Sequence, residues 1–172
     1  ISAPKVGGIV RLTKFILRGT FLIEALGAVL LFPVFCRDFG IKGIWMSVFH
    51  SISAFCNAGF DILGTTDHTF VSLTGYSRNI WLNIVIMLLI ITGGIGFLTW
   101  EDFYINKFKF KRYRMQSKII LMTTAILICL PAIFFFTNDF KMFSGEERTL
   151  LSFFQSITTR TAGFNTADMA LM

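Results

Sequence analysis

The sequence carries little charge and few of the residues that build disulfides or metal sites. Only 15% of its 172 residues are Asp, Glu, Lys or Arg, whereas roughly 25% is usual in soluble domains. Three cysteines, Cys36, Cys56 and Cys129, are odd in number and form no CxxC pair, which argues against a disulfide framework and a zinc site. His50 and His68 have no second histidine or carboxylate at metal spacing, so no transition-metal site is predicted.

Apolar residues are abundant instead, and three runs of them are long enough to cross a bilayer. Hydrophobic residues make up 54% of the chain, which contains 21 Phe. A hydrocarbon core of about 30 Å needs roughly 20 helical residues, and Val10–Phe35, Ile80–Trp100 and Ile119–Thr137 meet this length. The last two runs carry no charge, whereas the first contains Arg18 and Glu24. Three membrane spans are therefore predicted.

Two further apolar runs, Ile44–Phe55 and Leu150–Thr159, are too short to cross the bilayer. Each is followed by a turn that contains a glycine, Gly59 or Gly163, and not by a charged segment. A helix that stops half-way through a membrane leaves backbone polar groups unpaired, which is tolerated only where they are buried in protein or line a water-filled cavity. This pattern predicts re-entrant pore loops. A left-handed cap after an ordinary helix is the simpler alternative for either loop taken alone.

Lysine and arginine concentrate in two stretches, which predicts the orientation of the chain. The net charge is +6, but these residues flank the apolar runs and do not cover a folded surface, so nucleic-acid binding is not predicted. Six of them lie in the link between the second and third spans, which the positive-inside rule places in the cytoplasm. The other stretch opens the chain on the same side. The residues are Lys5, Arg11, Lys14, Arg18, Lys107, Lys109, Lys111, Arg112, Arg114 and Lys118.

The chain contains an internal repeat with a period of about 105 residues. Phe49–Ser53 (FHSIS) matches Phe154–Thr158 (FQSIT) in residue type, and each leads to an Ala-Gly-Phe sequence, at Ala58–Phe60 and Ala162–Phe164. Each copy also follows a full apolar span and a short polar link. Between the matched pieces the first copy has one residue more than the second. The chain is therefore predicted to hold two units of span, short helix and glycine turn.

Three segments carry a resemblance to a known family: FHSISAFCNAGF at Phe49–Phe60, ITGGIGF at Ile91–Phe97 and FFQSITTRTAGFNT at Phe153–Thr166. Together with the order of the spans, they make the chain similar to the Trk/Ktr/HKT superfamily of potassium transporters, and most of all to the bacterial KtrB-type membrane subunit. The resemblance implies an all-α polytopic membrane protein. In such a protein four covalently linked span–pore-loop–span repeats, with re-entrant pore helices, surround one pore.

The resemblance also divides the chain into the second repeat, a basic cytoplasmic link and a truncated third repeat. These are expected at residues 1–104, 105–118 and 119–172. Within the second repeat the spans are expected at about 10–35 and 80–100, and the pore helix and filter at 44–60. Because the chain begins at Ile1 and not at Met, it is expected to be an internal piece of a longer subunit that also carries the first and fourth repeats.

The resemblance implies uptake of K⁺ by facilitated diffusion, with no enzymatic step and no cofactor. An ion gives up its hydration shell to a narrow ring of backbone carbonyls, and glycine suits such a ring because it reaches positive φ without steric cost. The C-terminal ends of the preceding short helices favour a cation at the same place. The carbonyls that the resemblance assigns to the ion sites are those of Asn57, Ala58, Gly59, Thr161, Ala162 and Gly163.

Two charged residues are candidates for supporting roles. Glu24 lies in mid-span, where a carboxylate costs about 2.5–3.5 kcal/mol, so it needs a partner; a structural hydrogen bond to a neighbouring helix is the alternative to a functional role. Arg160 directly precedes the second glycine turn, and we expect its guanidinium to brace the loop through hydrogen bonds to carbonyls or an acid. Gly93, Gly94 and Gly96 are expected to pack against a pore loop, since small residues let helices approach closely.

Two functions other than potassium uptake fit the same sequence, and the resemblance also implies partners. A sodium-permeable or sodium-coupled member of the same superfamily, with Na⁺ as the coupling ion, is the nearest alternative, and a non-conducting membrane scaffold is the alternative from another class. A membrane enzyme would need a reactive side chain that the sequence does not show. The resemblance implies a homodimer in a bacterial plasma membrane, with a cytosolic nucleotide-binding regulatory ring. The basic link 107–118 is expected to meet this ring or the headgroups of anionic membrane lipids.

Overall fold

The computed structural model describes residues 6–64, 71–107, 109–143 and 145–167, and these residues form helices and turns with no strand. Lys5 and His68 lie outside them. Short 3₁₀ turns within this part of the chain lie at Thr74–Tyr76, Phe110–Arg112 and Phe140–Met142. The all-helical part of the prediction is confirmed. The α-helices are α1 Val6–Phe39, α2 Lys42–Phe55, α3 Ile80–Gly94, α4 Phe97–Asn106, α5 Met115–Thr137 and α6 Gly145–Thr161.

The first two helices form an antiparallel hairpin. α1 has 34 residues and is about 50 Å long at 1.5 Å per residue, so it extends beyond the predicted span at both ends. The chain turns at Gly40, where φ is +57°, and α2 then runs back along α1. A Cβ added to Gly43 would lie 2.4 Å from the Phe35 carbonyl oxygen, and Ser51 donates to the Glu24 carbonyl over 2.7 Å. These contacts fix α2 against the C-terminal half of α1.

The predicted span 80–100 is two helices in the structure. α3 ends at Gly94, α4 begins at Phe97, and the two are bent by 97°. Gly96 makes the break, because its φ of +83° lies in a region that residues with a Cβ rarely adopt. Hydropathy does not distinguish a straight apolar run from a bent one, which is why the sequence predicted a single helix here.

A second hairpin, formed by α5 and α6, matches the first. Ser156 on α6 donates to the Ile128 carbonyl on α5 over 2.6 Å, just as Ser51 on α2 donates to a carbonyl on α1. α6 begins at Gly145, earlier than the apolar run 150–159 suggested. The repeat found in the sequence is therefore also a repeat of structure.

α3 lies between the two hairpins. Its residues Leu82, Ile86 and Ile90 are fully buried and share one face of the helix because they are four residues apart. They pack in one cluster with Phe55 from the end of α2 and Phe154 from α6. The C-terminal ends of α2 and α6 consequently meet beside α3.

The link between α2 and α3 is anchored at Tyr76. The Tyr76 phenol donates to an Asp38 carboxylate oxygen over 2.7 Å, and its carbonyl accepts from the Asn83 side chain over 2.8 Å. Burial, together with the hydrogen bond and charge of Asp38, raises the pKa of the Tyr76 phenol. The phenol therefore stays protonated and remains a donor to Asp38 at neutral pH.

A buried carboxylate fixes the turn between α4 and α5. Asp102 is 2% exposed and accepts hydrogen bonds from the Ser117 hydroxyl at 2.5 Å and the Arg114 backbone amide at 3.0 Å. The Arg114 guanidinium lies 3.5 Å from Asp102 and 2.7 Å from Glu101. The carboxylate of Asp102 thus satisfies amide and hydroxyl donors at the N-terminal end of α5, where a negative charge is favourable.

Two of the described helices are long and apolar enough to cross a membrane: α1, over Gly8–Phe39, and α5, over Met115–Thr137. α3 and α4 meet the same criterion as one bent pair. Much of the apolar surface of α5 faces outward, with Ile126, Leu130 and Ile133 among its exposed side chains. Such an exterior suits lipid or further protein better than water.

Candidate functional site

α2 and α6 end side by side, each at a loop that the sequence predicted to face an ion. α2 ends at Phe55 and α6 at Thr161. The segments that follow, 58–60 and 163–165, have neither helical nor strand structure. The C-terminal ends of α2 and α6 therefore position the two loops. α1 and α3 pack against α2, and α3 and α5 pack against α6.

The two loops share the same internal hydrogen bond. In the first loop the Ser53 hydroxyl donates to the Phe60 carbonyl over 2.7 Å. In the second loop the Thr158 hydroxyl donates to the Phe164 carbonyl, also over 2.7 Å. Ser53 and Thr158 are matched residues of the repeat. In each loop the hydroxyl lies near the end of the helix and bonds to the residue after the glycine. The two glycine turns are therefore closed by equivalent hydrogen bonds.

The first loop accommodates its additional residue at Asn57. This residue has a φ of +54°, a conformation that Asn tolerates better than most residues with a side chain. Its side-chain nitrogen Nδ2 donates to the Phe55 carbonyl over 3.2 Å and so helps to satisfy a carbonyl at the end of α2. The extra residue is taken up before Ala58, which leaves the two Ala-Gly-Phe segments with the same hydrogen bonding.

The two glycine turns are in direct contact. Thr161 Oγ1 donates to Asn57 Oδ1 over 2.7 Å, across 104 residues of sequence. Gly59 has a φ of +69°, and a Cβ added there would lie 2.0 Å from the Ala162 carbonyl oxygen. Gly163 has a φ of +82° with nothing within 4 Å of an added Cβ. Gly59 is thus required by its conformation and by the close approach, whereas Gly163 is required by its conformation.

The structure brings together the six residues that were predicted to form the filter. Ala58, Thr161 and Gly163 are exposed, Asn57 and Gly59 are half-buried, and Ala162 is buried. The exposed residues lie on the side of the loops that no described helix covers. Which of the carbonyls meets an ion stays a prediction.

Glu24 lies beside the end of α2. Its backbone carbonyl accepts the Ser51 hydroxyl, and its carboxylate oxygen Oε1 lies 3.9 Å from the Cys56 thiol. Within the described residues no lysine or arginine forms an ion pair with it. The carboxylate therefore finds its contact at the residue that directly follows α2 and precedes Asn57, and the role of Glu24 stays a prediction.

Arg160 lies behind the two loops. A Cβ added to Gly94 would lie 2.4 Å from Arg160 Nη2 and 3.9 Å from Asn57 Nδ2, so the guanidinium packs against the end of α3 near the first loop. Its Nε and Nη2 atoms are buried and make no hydrogen bond with the described residues. The bracing role of Arg160 stays a prediction. Gly93 packs against the end of α2 and the first loop as expected, since a Cβ there would lie 1.8 Å from the Phe55 carbonyl oxygen and 3.0 Å from Asn57 Nδ2. For Gly96 the expectation is wrong, because an added Cβ would meet nothing within 4 Å; this glycine makes the break between α3 and α4 instead.

His50 packs behind the first loop. Its Nδ1 atom lies 2.7 Å from the Met46 carbonyl oxygen, and its ring stacks on Phe35 at 4.8 Å between centroids. The part of the chain that the structure describes holds no cluster of three or more His, Cys, Asp or Glu that could bind a metal ion. His50 belongs to the packing that holds α2 against α1.

The family of TrkH cation transport proteins matches residues 3–125, a segment that contains the first loop. The chain belongs to this family. The potassium/sodium uptake protein NtpJ of Enterococcus hirae is 38% identical over the whole chain. The Ktr system potassium uptake protein B of Bacillus subtilis is 31% identical over the whole chain, and the protein of the same name from Vibrio alginolyticus is 31% identical over 92% of it.

The TrkH-family chain spans about two fifths of the length of these relatives, covering 38%, 39% and 35% of them. The similarity to the first two relatives extends over the second loop, which lies beyond the segment that the family match covers. The resemblance inferred from three motifs is confirmed. The family is one of transporters and not of enzymes. Because the chain belongs to this family and contains apolar helices long enough to cross a membrane, it is part of a membrane protein.

Sequence reasoning missed the contacts that fix these loops in the TrkH-family chain. The repeat marked Ser53 and Thr158 as matched residues, and that match was a usable signal for a shared role. No pattern in the sequence indicated Ser72 and Leu73, which form hydrogen bonds with the segment after Gly163. The Asn165 amide donates to Ser72 Oγ over 2.9 Å, and the Leu73 amide donates to the Asn165 carbonyl over 2.9 Å. Such contacts between distant residues leave no local pattern.

Proposed function

We propose that this TrkH-family chain forms part of a potassium permeation pathway, through which K⁺ crosses the membrane by facilitated diffusion. Backbone carbonyls of the two loops replace the hydration shell of the ion. The contributing residues are Asn57, Ala58, Gly59, Thr161, Ala162 and Gly163.

In this proposal α2 and α6 are re-entrant pore helices. They have 14 and 17 residues, and at 1.5 Å per residue they are about 21 and 26 Å long, which is short of the roughly 30 Å of a hydrocarbon core. The C-terminal end of a helix carries partial negative charge and unpaired carbonyls. Both ends lie at the loops, so both favour a cation at the same place.

The observation that carries the proposal is the contact between the two glycine turns. Gly59 approaches the Ala162 carbonyl so closely that no side chain fits, and the Thr161 hydroxyl bonds to Asn57. Two loops of the same construction, drawn from two repeats, meet with their backbones adjacent. A narrow ring of carbonyls needs such an arrangement, whereas two independent helix caps do not.

The remaining features follow from the same proposal. α1 and α5 cross the plasma membrane of a bacterium, the bent pair α3 and α4 supplies the span that returns to the cytoplasm, and the basic link 105–118 lies in the cytoplasm. The second repeat is 1–104 and the third begins at 119, while the rest of the same subunit supplies the first and fourth repeats. The complete subunit forms a homodimer and docks on a cytosolic nucleotide-binding regulatory ring.

The test uses the full-length parent protein in cells that lack other potassium uptake. Growth at low K⁺ and Rb⁺ uptake are compared for wild type, Gly59→Ser and Gly163→Ser at matched membrane expression. Gly75→Ser is the control, since Gly75 is exposed, has no positive φ and has open space around it. We expect the two loop variants to lose uptake or to admit Na⁺, and the control to behave as wild type. Unchanged uptake in both loop variants would refute the filter and favour a non-conducting scaffold.

A sodium-permeable or sodium-coupled transporter is the second candidate. It is favoured by the relative NtpJ, which is a potassium/sodium uptake protein. Each loop also carries one glycine at the turn, which leaves strict exclusion of Na⁺ undecided by composition. Rb⁺ uptake in a large excess of Na⁺, and uptake of labelled Na⁺, separate the two candidates: a potassium pathway keeps its Rb⁺ uptake and carries little Na⁺.

A further inference from the structure

Three cationic side chains on one face of α1 open onto a surface groove. Arg11, Lys14 and Arg18 are exposed, and their spacing of three and four residues places them on the same side of the helix. None of the three forms an ion pair with a residue that the structure describes. The groove has a volume of about 720 Å³, and its other lining residues include Phe15, Gly19, Leu22 and Tyr104.

This basic groove continues into an apolar one. The second groove has a volume of about 680 Å³ and shares Phe15, Leu22 and Tyr104 with the first. It runs between α1, α4 and α5, and most of its lining is apolar. One continuous depression therefore leads from three free positive charges to an apolar interior. Its other apolar lining residues include Ile23, Ile95, Trp100, Phe103 and Leu121.

The length of the depression suits a lipid molecule, and its position suits the cytoplasmic interface of the membrane. Arg11 and Leu22 are separated by about 16 Å along α1 at 1.5 Å per residue, which suits a ligand with a charged end and a long apolar tail. Trp100 and Tyr104, which border the apolar groove, are residues that collect at the membrane interface. The positive-inside rule places the cations of α1 on the cytoplasmic side.

We propose that this depression binds an anionic phospholipid. Arg11, Lys14 and Arg18 hold the phosphate of the headgroup, and one acyl chain lies in the apolar groove. Charge decides the class of lipid, because three unpaired cations leave a net positive charge beside a zwitterionic headgroup and not beside an anionic one. The proposal rests on the membrane location of the family and is independent of the filter.

The test is lipid binding to the purified, delipidated full-length protein by native mass spectrometry. Phosphatidylglycerol is compared with phosphatidylcholine that has the same acyl chains. Wild type should bind phosphatidylglycerol more tightly. The triple variant Arg11→Gln, Lys14→Gln, Arg18→Gln should raise its dissociation constant by about tenfold to a hundredfold, since each basic residue near the surface contributes to anionic-lipid binding.

A charge-matched control removes three cations outside the depression. Arg37→Gln, Lys42→Gln, Lys141→Gln alters exposed residues outside both the depression and the basic link and should leave phosphatidylglycerol binding as in wild type. If the triple variant on α1 does not purify as an intact protein, Lys14→Gln and Arg18→Gln are measured singly, each with an expected loss of about fivefold. Equal losses in the α1 variant and the control would overturn the proposal, because bulk charge alone would then attract the lipid.

A competition measurement distinguishes a lipid from a free anion. Inorganic phosphate in excess should not displace the bound lipid. Displacement by phosphate, or equal affinity of wild type for the two lipids, would refute the proposal. Because binding is measured without ion flux, a negative result here does not affect the permeation proposal. Unchanged uptake in the filter variants, which would refute the filter, likewise does not affect the lipid proposal.

Discussion

At the scale of single residues, one hydroxyl group in each loop fixes the carbonyl of the phenylalanine that follows the glycine. Ser53 donates to the Phe60 carbonyl and Thr158 to the Phe164 carbonyl, both over 2.7 Å. A carbonyl that accepts a bond from the helix behind it is directed toward that helix and not toward an ion. In the proposed filter the hydroxyls therefore limit the ion-facing backbone to the residues that precede each phenylalanine, and they would hold the width of the carbonyl ring on which selectivity depends.

Removing these hydroxyls should loosen selectivity without abolishing uptake. We expect Ser53→Ala and Thr158→Val, each in the full-length protein, to lower the ratio of Rb⁺ to Na⁺ uptake by about fivefold, since a hydrogen bond contributes about 1 kcal/mol net. Ser47→Ala is the matched control, because the Ser47 hydroxyl bonds within α2 to the Gly43 carbonyl. A ratio that falls equally in the control, or in none of the variants, would contradict the role given to the hydroxyls.

At the scale of helices, the end of α3 supports both loops through two adjacent glycines that differ in what they touch. A Cβ on Gly93 would lie 1.8 Å from the Phe55 carbonyl oxygen, which is backbone at the end of α2. A Cβ on Gly94 would lie 2.4 Å from Arg160 Nη2, the far end of a flexible side chain. Backbone at the end of a packed helix has little freedom to move, whereas a guanidinium has several rotamers.

The two glycines should consequently respond differently to the same substitution. We expect Gly93→Ala to destabilise the full-length protein by about 2–3 kcal/mol through overpacking and to reduce Rb⁺ uptake strongly. Gly94→Ala should cost less than about 1 kcal/mol, because alanine favours the helix and Arg160 can shift. Thermal unfolding in detergent and Rb⁺ uptake check both effects. Equal behaviour of the two variants would show that α3 does not press on the loops as described.

The joint between α4 and α5 offers a second prediction at this scale. Asp102→Ala leaves the Arg114 amide and the Ser117 hydroxyl without their acceptor, and we expect a loss of about 2–3 kcal/mol of stability, as for hydrogen bonds to a charged group. Glu101→Gln is the control, since Glu101 forms a partly exposed ion pair with Arg114 that contributes about 0–1 kcal/mol. Thermal unfolding measures both, and a larger effect of Glu101→Gln would be evidence against this joint.

The helix boundaries show which parts of the fold could be predicted from the sequence. The apolar run at 44–55 predicted α2 within two residues, because an uninterrupted apolar stretch and the helix coincide there. The run at 150–159 missed the first turn of α6, where Glu146 and Glu147 favour a helix N-terminus but lower the hydropathy. The bend after α3 depends on the backbone of Gly96, and a single dihedral angle leaves no trace in composition.

At the scale of the whole chain, the repeat predicted that the two loops are alike but not that they touch. Similarity follows from matched residues, whereas contact depends on how the hairpins α1–α2 and α5–α6 pack on α3. The sequence named Asn57 and Thr161 as filter residues from the resemblance, yet their hydrogen bond joins positions 104 residues apart. This bond is a direct link between two repeats at the point where the ion is proposed to pass.

The link predicts energetic coupling between the repeats. Asn57→Gly removes the side chain while allowing the positive φ, and Thr161→Val removes the donor. Each variant should lower the ratio of Rb⁺ to Na⁺ uptake, but the double variant should be no worse than the more affected single one, a coupling of about 1 kcal/mol. Thr159→Val is the control partner for Asn57→Gly, because the Thr159 hydroxyl bonds within α6 to the Gln155 carbonyl, and that pair should be additive. Additive effects of Asn57→Gly and Thr161→Val would mean that the two loops act separately in the assembled pore, and the contact could then not be what sets selectivity.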